Sequence, residues 1–234
     1  MSAKFGSFHQ TIASAVKVAL LCGLMLFVSA CASKETGSDE GDASSSAPAT
    51  GANKRELVYG INVILPEGWV IASSADAGVA EDAEILSHVN RGERVGVLSI
   101  YRASQDGSDA TGGISVFVVN AKKDFMPEEE ASKLTAEATA HLSEVIIKKD
   151  RELAAEKKAK SPILEWKLTR EMVNGRLGLL HTGLAEGPAG KVNILNADIY
   201  LPNGVGVAVK SAGNAEPGTA AVLRNFLNSI RVNK

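Results

Sequence analysis

The second half of the chain alternates between short apolar runs and tight-turn signals. Two Asn-Gly pairs, Asn174-Gly175 and Asn203-Gly204, each separate two runs that are rich in aliphatic residues. Asn-Gly is a strong signal for a two-residue β-hairpin, because both residues adopt the positive φ values that such a turn needs. The runs are therefore predicted to be antiparallel strands, and they cover 163–169, 177–184, 192–201 and 205–209.

Strand signals also occur nearer the N-terminus. A Pro66-Glu67-Gly68 turn closes one apolar run and precedes another. A later run is apolar at every position except Ser115, as expected for a strand that is covered on both faces. The predicted strands are 58–65, 69–71, 95–101 and 114–119.

Two helices are predicted between and after these strands. The first begins at Pro127, because proline suits the first helical position and the acidic residues 128–130 complement the positive end of the helix dipole. The second begins near Pro217. Their apolar faces are formed by Ala131, Leu134, Ala138, Leu142 and Val145 in the first helix and by Ala220, Leu223, Leu227 and Ile230 in the second.

The order of these elements is strands, helix, strands and helix, joined mainly by tight turns. This order predicts an α+β fold in which helices pack on an antiparallel β-sheet, and it does not fit a doubly wound parallel sheet. The sequence does not decide the secondary structure of residues 146–160, because their pattern fits either an extension of the first helix or a hairpin of exposed strands.

The N-terminus has the composition of a targeting sequence. Lys4 and Lys17 supply a positive region, an uncharged stretch over 18–30 follows, and no acidic residue occurs before Glu35. At about 1.5 Å per helical residue the uncharged stretch spans roughly 20 Å, which is shorter than the ~30 Å hydrocarbon core of a membrane. Residues 1–30 are therefore predicted to be a signal peptide that is removed.

The end of this segment reads Val28-Ser29-Ala30-Cys31. It resembles the lipobox of bacterial lipoproteins, which is an aliphatic residue, two small residues and a cysteine. The resemblance implies cleavage between Ala30 and Cys31, a diacylglyceryl thioether on Cys31 and a further acyl chain such as palmitate. Two or three acyl chains hold a protein firmly at a membrane. By the same resemblance Ala32, in place of Asp, favours the outer membrane over the inner one.

Between the predicted anchor and the first strand, the chain lacks large apolar residues and is rich in Ser, Gly and Ala. Such a composition cannot form a core, so 31–54 is predicted to be a lipidated cysteine followed by a disordered tether. Residues 55–234 are predicted to form a single α+β domain.

Composition excludes several classes of function. The formal net charge of −2 and the 5% content of aromatic residues do not provide the basic surface or the stacking side chains that are typical of nucleic-acid-binding proteins. Two cysteines exclude a disulfide framework and a cysteine-rich zinc site.

Few residues carry recognisable chemistry. His88, His141 and His181 show no metal-ligand spacing, and no Gly-x-Ser-x-Gly nucleophile motif occurs. Residues 185–192 approach a phosphate-binding loop, but Val192 stands where Ser or Thr would hold magnesium, so a hairpin turn is predicted there. We therefore expect no metal, no cofactor and no enzymatic activity.

The segment Ile61-Asn62-Val63-Ile64-Leu65-Pro66-Glu67-Gly68-Trp69 is similar to the first strand and Pro-x-Gly-Trp turn of the PsbP/Mog1-like family. The central helix and the closing helix fit the same plan, and the resemblance covers nearly all of 56–234. It implies an α/β/α sandwich around an antiparallel sheet. A cystatin-like α+β domain is the alternative. Members of the family are mostly non-catalytic, and no site residue is carried over from them.

Together these observations predict a lipoprotein of the bacterial cell envelope, anchored through Cys31, whose non-catalytic domain binds an envelope protein. One alternative is a carrier or sensor that holds a small apolar ligand between a helix and the sheet. A third is a hydrolase of envelope polymers, which would need one of the three histidines beside a serine and an aspartate.

Overall fold

A computed structural model describes residues 53–74, 79–103, 110–157, 162–187 and 190–233. The predicted signal peptide, the lipobox residues and nearly all of the predicted tether lie outside these ranges. Strand β1 begins at Lys54, which is the last residue of the predicted tether.

The described residues form ten strands, five helices and two 3-10 turns. The strands are β1 (Lys54–Glu56), β2 (Ile61–Ile64), β3 (Val70–Ser74), β4 (Val95–Ala103), β5 (Ala110–Asn120), β6 (Ile163–Val173), β7 (Arg176–Gly187), β8 (Gly190–Tyr200), β9 (Val205–Asn214) and β10 (Arg231–Val232). The helices are α1 (Val79–Arg91), α2 (Ala121–Asp124), α3 (Glu128–Ser132), α4 (Ala136–Lys157) and α5 (Thr219–Ser229), and the 3-10 turns are Val58–Gly60 and Pro202–Gly204.

Seven of the strands form one sheet in the order β3-β4-β5-β9-β8-β7-β6, and β1-β2-β10 form a second, smaller sheet. The neighbouring strands in both sheets are antiparallel. The predicted α+β class with an antiparallel sheet is confirmed.

Both faces of the large sheet are covered, because consecutive strand residues enter two different cores. Val118 and Ile199 belong to the core on one face, called face A, whereas Val119 and Tyr200 belong to the core on the opposite face, called face B. Helices α1 and α5 and the small sheet contribute to face A, and α2, α3 and α4 contribute to face B. The layers are helix, sheet and helix, as the sequence resemblance implied, with the small sheet added on face A.

Both predicted hairpins are confirmed, but only Asn174-Gly175 is a two-residue turn, since Val173 pairs with Arg176. The second hairpin has a three-residue turn, Pro202–Gly204, between Leu201 and Val205. Asn174 and Gly175 have φ of 51° and 81°, and Asn203 and Gly204 have φ of 64° and 74°. Positive φ at both central residues is the requirement that selects Asn-Gly. The segment that approaches a phosphate loop also forms a hairpin, in which Gly187 lies opposite Gly190.

The prediction of a strand over 58–65 was wrong at its start. Tyr59 and Gly60 have positive φ values of 62° and 65°, which no strand residue adopts, and they form the 3-10 turn between β1 and β2. α1 was not predicted. Among its described side chains, the large apolar ones that pack inward are Ile85, Leu86 and Val89.

The prediction of one helix from Pro127 was also wrong. Pro127 is the N-cap of the short helix α3, and a break separates α3 from α4. Thr135 caps α4, because its Oγ1 accepts a hydrogen bond of 3.2 Å from the backbone N–H of Ala138. The segment 146–160, for which the sequence allowed either a helix or a hairpin, is helical as far as Lys157.

The buried face of α5 differs from the predicted one, which left out Phe226 and named Ala220. Ala220 is exposed, and Thr219 is buried in its place.

Candidate functional site

The residues predicted to carry the membrane anchor, Val28, Ser29, Ala30 and Cys31, lie outside the described residues. Lipidation of Cys31 therefore stays a prediction. Within the described ranges, the helices are all too short or too polar to cross a membrane.

His88 lies on α1, near its C-terminal end. Its Nδ1 is 2.5 Å from Oε2 of Glu93, and Nε of Arg91 donates to Oε1 of the same carboxylate at 3.0 Å. Hydrogen bonds from His88 and Arg91 hold the pKa of Glu93 below its ordinary value. The cluster is exposed at the C-terminal end of α1, where cationic side chains favour the helix dipole. We interpret this cluster as a stabilising contact at the end of α1 and not as a catalytic centre.

His141 is exposed on α4. In the part of the chain that the structure covers, no three His, Cys, Asp or Glu side chains are placed so that they could hold a metal ion.

His181 lies on β7, as predicted, and points to face B. Its Nε2 is 3.6 Å from Oδ2 of Asp198 on β8, and the two side chains are 13% and 14% exposed. The imidazole also packs against the indole of Trp166, with ring centroids 5.5 Å apart. This histidine therefore has a partly buried carboxylate partner and an aromatic neighbour.

Sequence reasoning missed Asp198 and Trp166 as partners of His181. The signal that could have identified Asp198 is the hairpin register, in which His181 lies opposite Asn196 and Asp198 is the next residue of β8 on the same face. Trp166 reaches the site because β7 carries Gly183 opposite it. A Cβ at Gly183 would lie 2.8 Å from Cε3 of Trp166, so only glycine leaves room for the ring there.

The described structure does not bring the three histidines together. α1, which carries His88, packs on face A, whereas His181 points to face B. His181 makes no hydrogen bond to a hydroxyl group among the described residues. The Ser–His–acid arrangement that a hydrolase would need is therefore not assembled in this part of the chain.

A second polar group on face B lies two strands away from His181. Lys210 on β9 is only 9% exposed, and its side chain forms no hydrogen bond or ion pair with a described residue. Asn196 on β8 is 2% exposed, and its Oδ1 accepts a hydrogen bond of 3.0 Å from the backbone N–H of Ser211. Strand β8 thus places Asn196 between His181 and Lys210.

Lys210 is surrounded by small residues on its own face of the sheet. Ser115 lies directly opposite it on β5, and Gly113 is two residues further along that strand. Ala208 and Ala212 are its same-face neighbours on β9. We call Lys210 with these four residues the Lys210 depression. Three of them, Gly113, Ser115 and Ala212, are partly exposed.

Helix α4 borders face B along the edge of β6. The backbone N–H of Leu168 donates to Oγ of Ser143 at 2.9 Å, and that of Ile163 donates to Oδ2 of Asp150 at 2.8 Å. These bonds satisfy donors that an edge strand otherwise exposes.

Helices α2 and α3 and the loop between them cover the other end of face B. The hydroxyl of Tyr200 donates to the carbonyl oxygen of Met126 at 2.7 Å, and its ring packs edge-on against Phe125. Burial, together with the negative charges of Asp198, Glu128 and Glu130, raises the pKa of Tyr200 well above its ordinary value.

Comparison with known proteins gives two findings. No known family and no curated protein matches the sequence. Among solved structures, the chain is similar to the PsbP protein of the cyanobacterium Synechocystis sp. PCC 6803, with 10% identity and a TM-score of 0.44, over 80% of this chain and 98% of that one. The likeness concerns the fold alone. PsbP is the family that the sequence resembles.

A protein of Bacteroides thetaiotaomicron VPI-5482 is also similar, with 8% identity and a TM-score of 0.39. That match covers 78% of this chain and 48% of the other protein. At these identities no functional residue is transferred from either structure.

One cavity of about 600 Å³ adjoins the described residues. It lies against the exposed side of α4, along Glu144, Ile147, Lys148, Arg151, Glu152 and Ala155, and these residues include four charged side chains. This cavity lies on the exposed side of α4 and not between a helix and the sheet, so it does not support a carrier that holds an apolar ligand between them. The carrier interpretation stays a prediction.

Proposed function

We propose that the protein is a lipid-anchored protein of the bacterial cell envelope, held by Cys31, whose folded domain binds another envelope protein and catalyses no reaction. The observation that carries the proposal is the Val28-Ser29-Ala30-Cys31 sequence after a positive and then an apolar segment. A polar stretch joins this cysteine to β1, the first strand of the domain.

The placement of the histidines supports a binding role over a catalytic one. His88 belongs to an exposed ionic cluster, His141 is exposed on α4, and His181 is paired with Asp198 without a nucleophile among its described contacts. A general base needs the proton that it abstracts within hydrogen-bond reach.

The two outer strands of the large sheet differ in a way that favours one of them as a contact surface. The edge of β6 is bonded to α4, as shown by the contact between Leu168 and Ser143. Strand β3, at the opposite edge, pairs with β4 alone in the described structure, and its Val70 is 45% exposed. An unpaired strand edge can accept an extended segment of a partner by main-chain hydrogen bonds. We therefore assign the partner contact to β3.

Membrane anchoring is tested by changing Cys31. Mass spectrometry of the purified wild-type chain should show a first residue at Cys31 with attached acyl chains. The Cys31→Ser variant should keep its leader uncleaved and incorporate no labelled palmitate. Serine is the matched change, because it keeps the size of the side chain and removes the sulfur. Normal cleavage and membrane retention of this variant would contradict the proposal.

Partner binding is tested by photo-crosslinking in intact cells. A photoreactive residue at Ser73, exposed on β3, should give a discrete crosslinked product with an envelope protein. The matched position is Glu165, which is exposed on β6 at the edge bordered by α4. The same product from both positions, or none from Ser73, would exclude β3 as the contact strand.

A further inference from the structure

Helix α4 has two sides of different character. On the inner side Leu142 and Ile146 are buried, and Ser143 and Asp150 accept hydrogen bonds from the backbone of β6. The cavity of about 600 Å³ lies on the opposite side, and the described residues that line it all belong to α4. The described part of the chain therefore gives this cavity a single wall.

Five residues form a stripe along the outer side of α4. They follow one another at intervals of three or four positions, which places them within about 80° of arc around the helix. The stripe consists of Ala140, Glu144, Ile147, Arg151 and Ala155, and we call it the α4 stripe. Ile147 is partly exposed and the other four residues are exposed. This spacing is the one with which a helix contacts a second helix.

The α4 stripe carries one charge of each sign. Glu144 and Arg151 lie about two turns apart, with Ile147 between them. Neither Glu144 nor Arg151 forms an ion pair with another described residue. The neighbouring Lys148, by contrast, lies 4.0 Å from the carboxylate of Glu152 in the same helix. Both charges of the stripe can therefore pair with charges of another chain.

These two charges are complementary to those of a second α4 that runs antiparallel. A two-fold axis just after Ile147 brings Glu144 of each copy level with Arg151 of the other, because both residues are equally far from the axis. The same axis brings the two Ile147 side chains together and places Ala140 level with Ala155. A parallel pair would instead bring like charges together, which costs free energy. The charge pattern therefore fits a second copy in the antiparallel orientation.

The apolar residues and the ion pairs contribute differently to such a contact. Ile147 and the aliphatic stem of Arg151 supply apolar surface near the axis. Ion pairs between exposed side chains add little affinity, but they disfavour the wrong orientations. One helix pair buries less surface than a standard protein–protein interface. We therefore expect a dissociation constant on the order of 10 µM.

We propose that the protein forms a homodimer through the α4 stripe, in which two copies of α4 run antiparallel and Glu144 of each copy pairs with Arg151 of the other. Helix α4 lies along β6, whereas β3 is the opposite edge of the large sheet. The homodimer therefore leaves β3 accessible. It depends neither on the lipid anchor at Cys31 nor on the partner contact at β3.

The test is sedimentation equilibrium of the full chain, as purified from cells in detergent, over a range of concentrations. Arg151→Glu should weaken dimerisation at least tenfold, because both ion pairs become repulsive, and Glu144→Arg should do the same. The double variant, which exchanges the two charges, should return to within about threefold of the wild type. Residues seven positions apart do not pair within one helix, where pairs form at three or four. Recovery would therefore come from contact between copies.

Two controls make the result specific. Lys167→Glu, at an exposed lysine of β6, is the matched charge reversal and should dimerise as the wild type does. Circular dichroism and thermal unfolding of each variant would show that the domain is folded. A photoreactive residue at Ile147 should give a product of twice the chain mass, joined near that residue in both copies. The same photoreactive residue at Lys167 should give no such product.

Several outcomes would overturn the proposal. A wild-type chain that stays monomeric at about ten times the expected dissociation constant would exclude the homodimer. A double variant as weak as the single ones would exclude the pairing of Glu144 with Arg151. Crosslinks from Ile147 to a different protein, or to another residue of the same chain, would show that something else occupies the α4 stripe.

Discussion

Ser143 of α4 accepts a hydrogen bond of 2.9 Å from the backbone N–H of Leu168 on β6. The same hydroxyl donates to the carbonyl oxygen of Thr139 within the helix, so one buried side chain joins α4 to the edge of the large sheet. This contact explains why the two edges of the sheet differ. α4 covers the outer edge of β6. In the described structure, β3 at the opposite end of the sheet pairs with a strand on one side only.

Replacement of Ser143 tests how strongly α4 is held to this edge. Ser143→Ala leaves the buried N–H of Leu168 without an acceptor, which should lower the free energy of unfolding by about 1–3 kcal/mol. The measurement is urea-induced unfolding followed by circular dichroism. Ser132→Ala is the control, because Ser132 is exposed and its hydroxyl bonds only within α3. Equal stability of the two variants would contradict the role of Ser143.

Alkaline pH should destabilise the fold through Tyr200. The pKa of Tyr200 is raised in the folded protein above the value of ~10 in an unfolded chain. Its contribution to stability is therefore fully present below pH ~10 and is lost as pH rises through the folded pKa.

Tyr200→Phe isolates this effect. The variant loses the hydrogen bond to Met126, which should cost about 0.5–1.5 kcal/mol at neutral pH. Because phenylalanine does not ionise, the difference in unfolding free energy between wild type and variant should shrink between pH 9 and pH 11.5. Urea unfolding at several pH values measures it. A constant difference would show that the phenol of Tyr200 ionises as easily in the folded state as in the unfolded one.

The β6–β7 turn should depend on two separate properties of Asn174. Its φ of 51° favours Asn or Gly, and its Nδ2 donates to the carbonyl oxygens of Asn228 and Ile230 at the end of α5. Asn174→Gly removes only the side-chain bonds, which should cost about 1 kcal/mol. Asn174→Ala removes the same bonds but, unlike glycine, keeps a Cβ at positive φ without the polar side chain that lets Asn tolerate this conformation, which should add a further ~1–2 kcal/mol. Chemical denaturation ranks the two variants, and an alanine variant as stable as the glycine variant would exclude a backbone contribution.

The sequence correctly predicted those parts of the fold that depend on the conformational preferences of neighbouring residues. The hairpins at Asn174-Gly175 and Asn203-Gly204 depend on the φ preferences of two adjacent residues, and these preferences are properties of the residues themselves. The division of the helix after Pro127 was missed because two signals compete there. Pro127 and the following acidic residues indicate a helix start, but Thr135 starts a second one eight residues later by capping α4.

The candidate site could not be predicted in the same way. His181 and Asp198 meet through the register of β7 against β8. The small neighbours of Lys210, Gly113 and Ser115, are nearly one hundred positions earlier in the chain and are brought beside it by the pairing of β5 with β9. The sequence shows where a histidine or a lysine occurs. How deeply that residue is buried and which residues it contacts depend on strand order, which long-range packing determines.

Gly206 should be intolerant of any side chain, because the ring of Phe125 packs directly against its Cα on β9. A Cβ built at Gly206 would overlap the ring of Phe125, which is itself buried against Tyr200. Gly206→Ala should lower the free energy of unfolding by about 1–3 kcal/mol, since a packed core has no room for an added methyl group. Gly96→Ala on β4 is the matched control, because its new Cβ would meet Phe117 at an ordinary contact distance of 3.6 Å. Phe125→Leu combined with Gly206→Ala should recover part of the loss measured in urea. A double variant less stable than the sum of its single changes would show that the ring of Phe125 is not the obstacle.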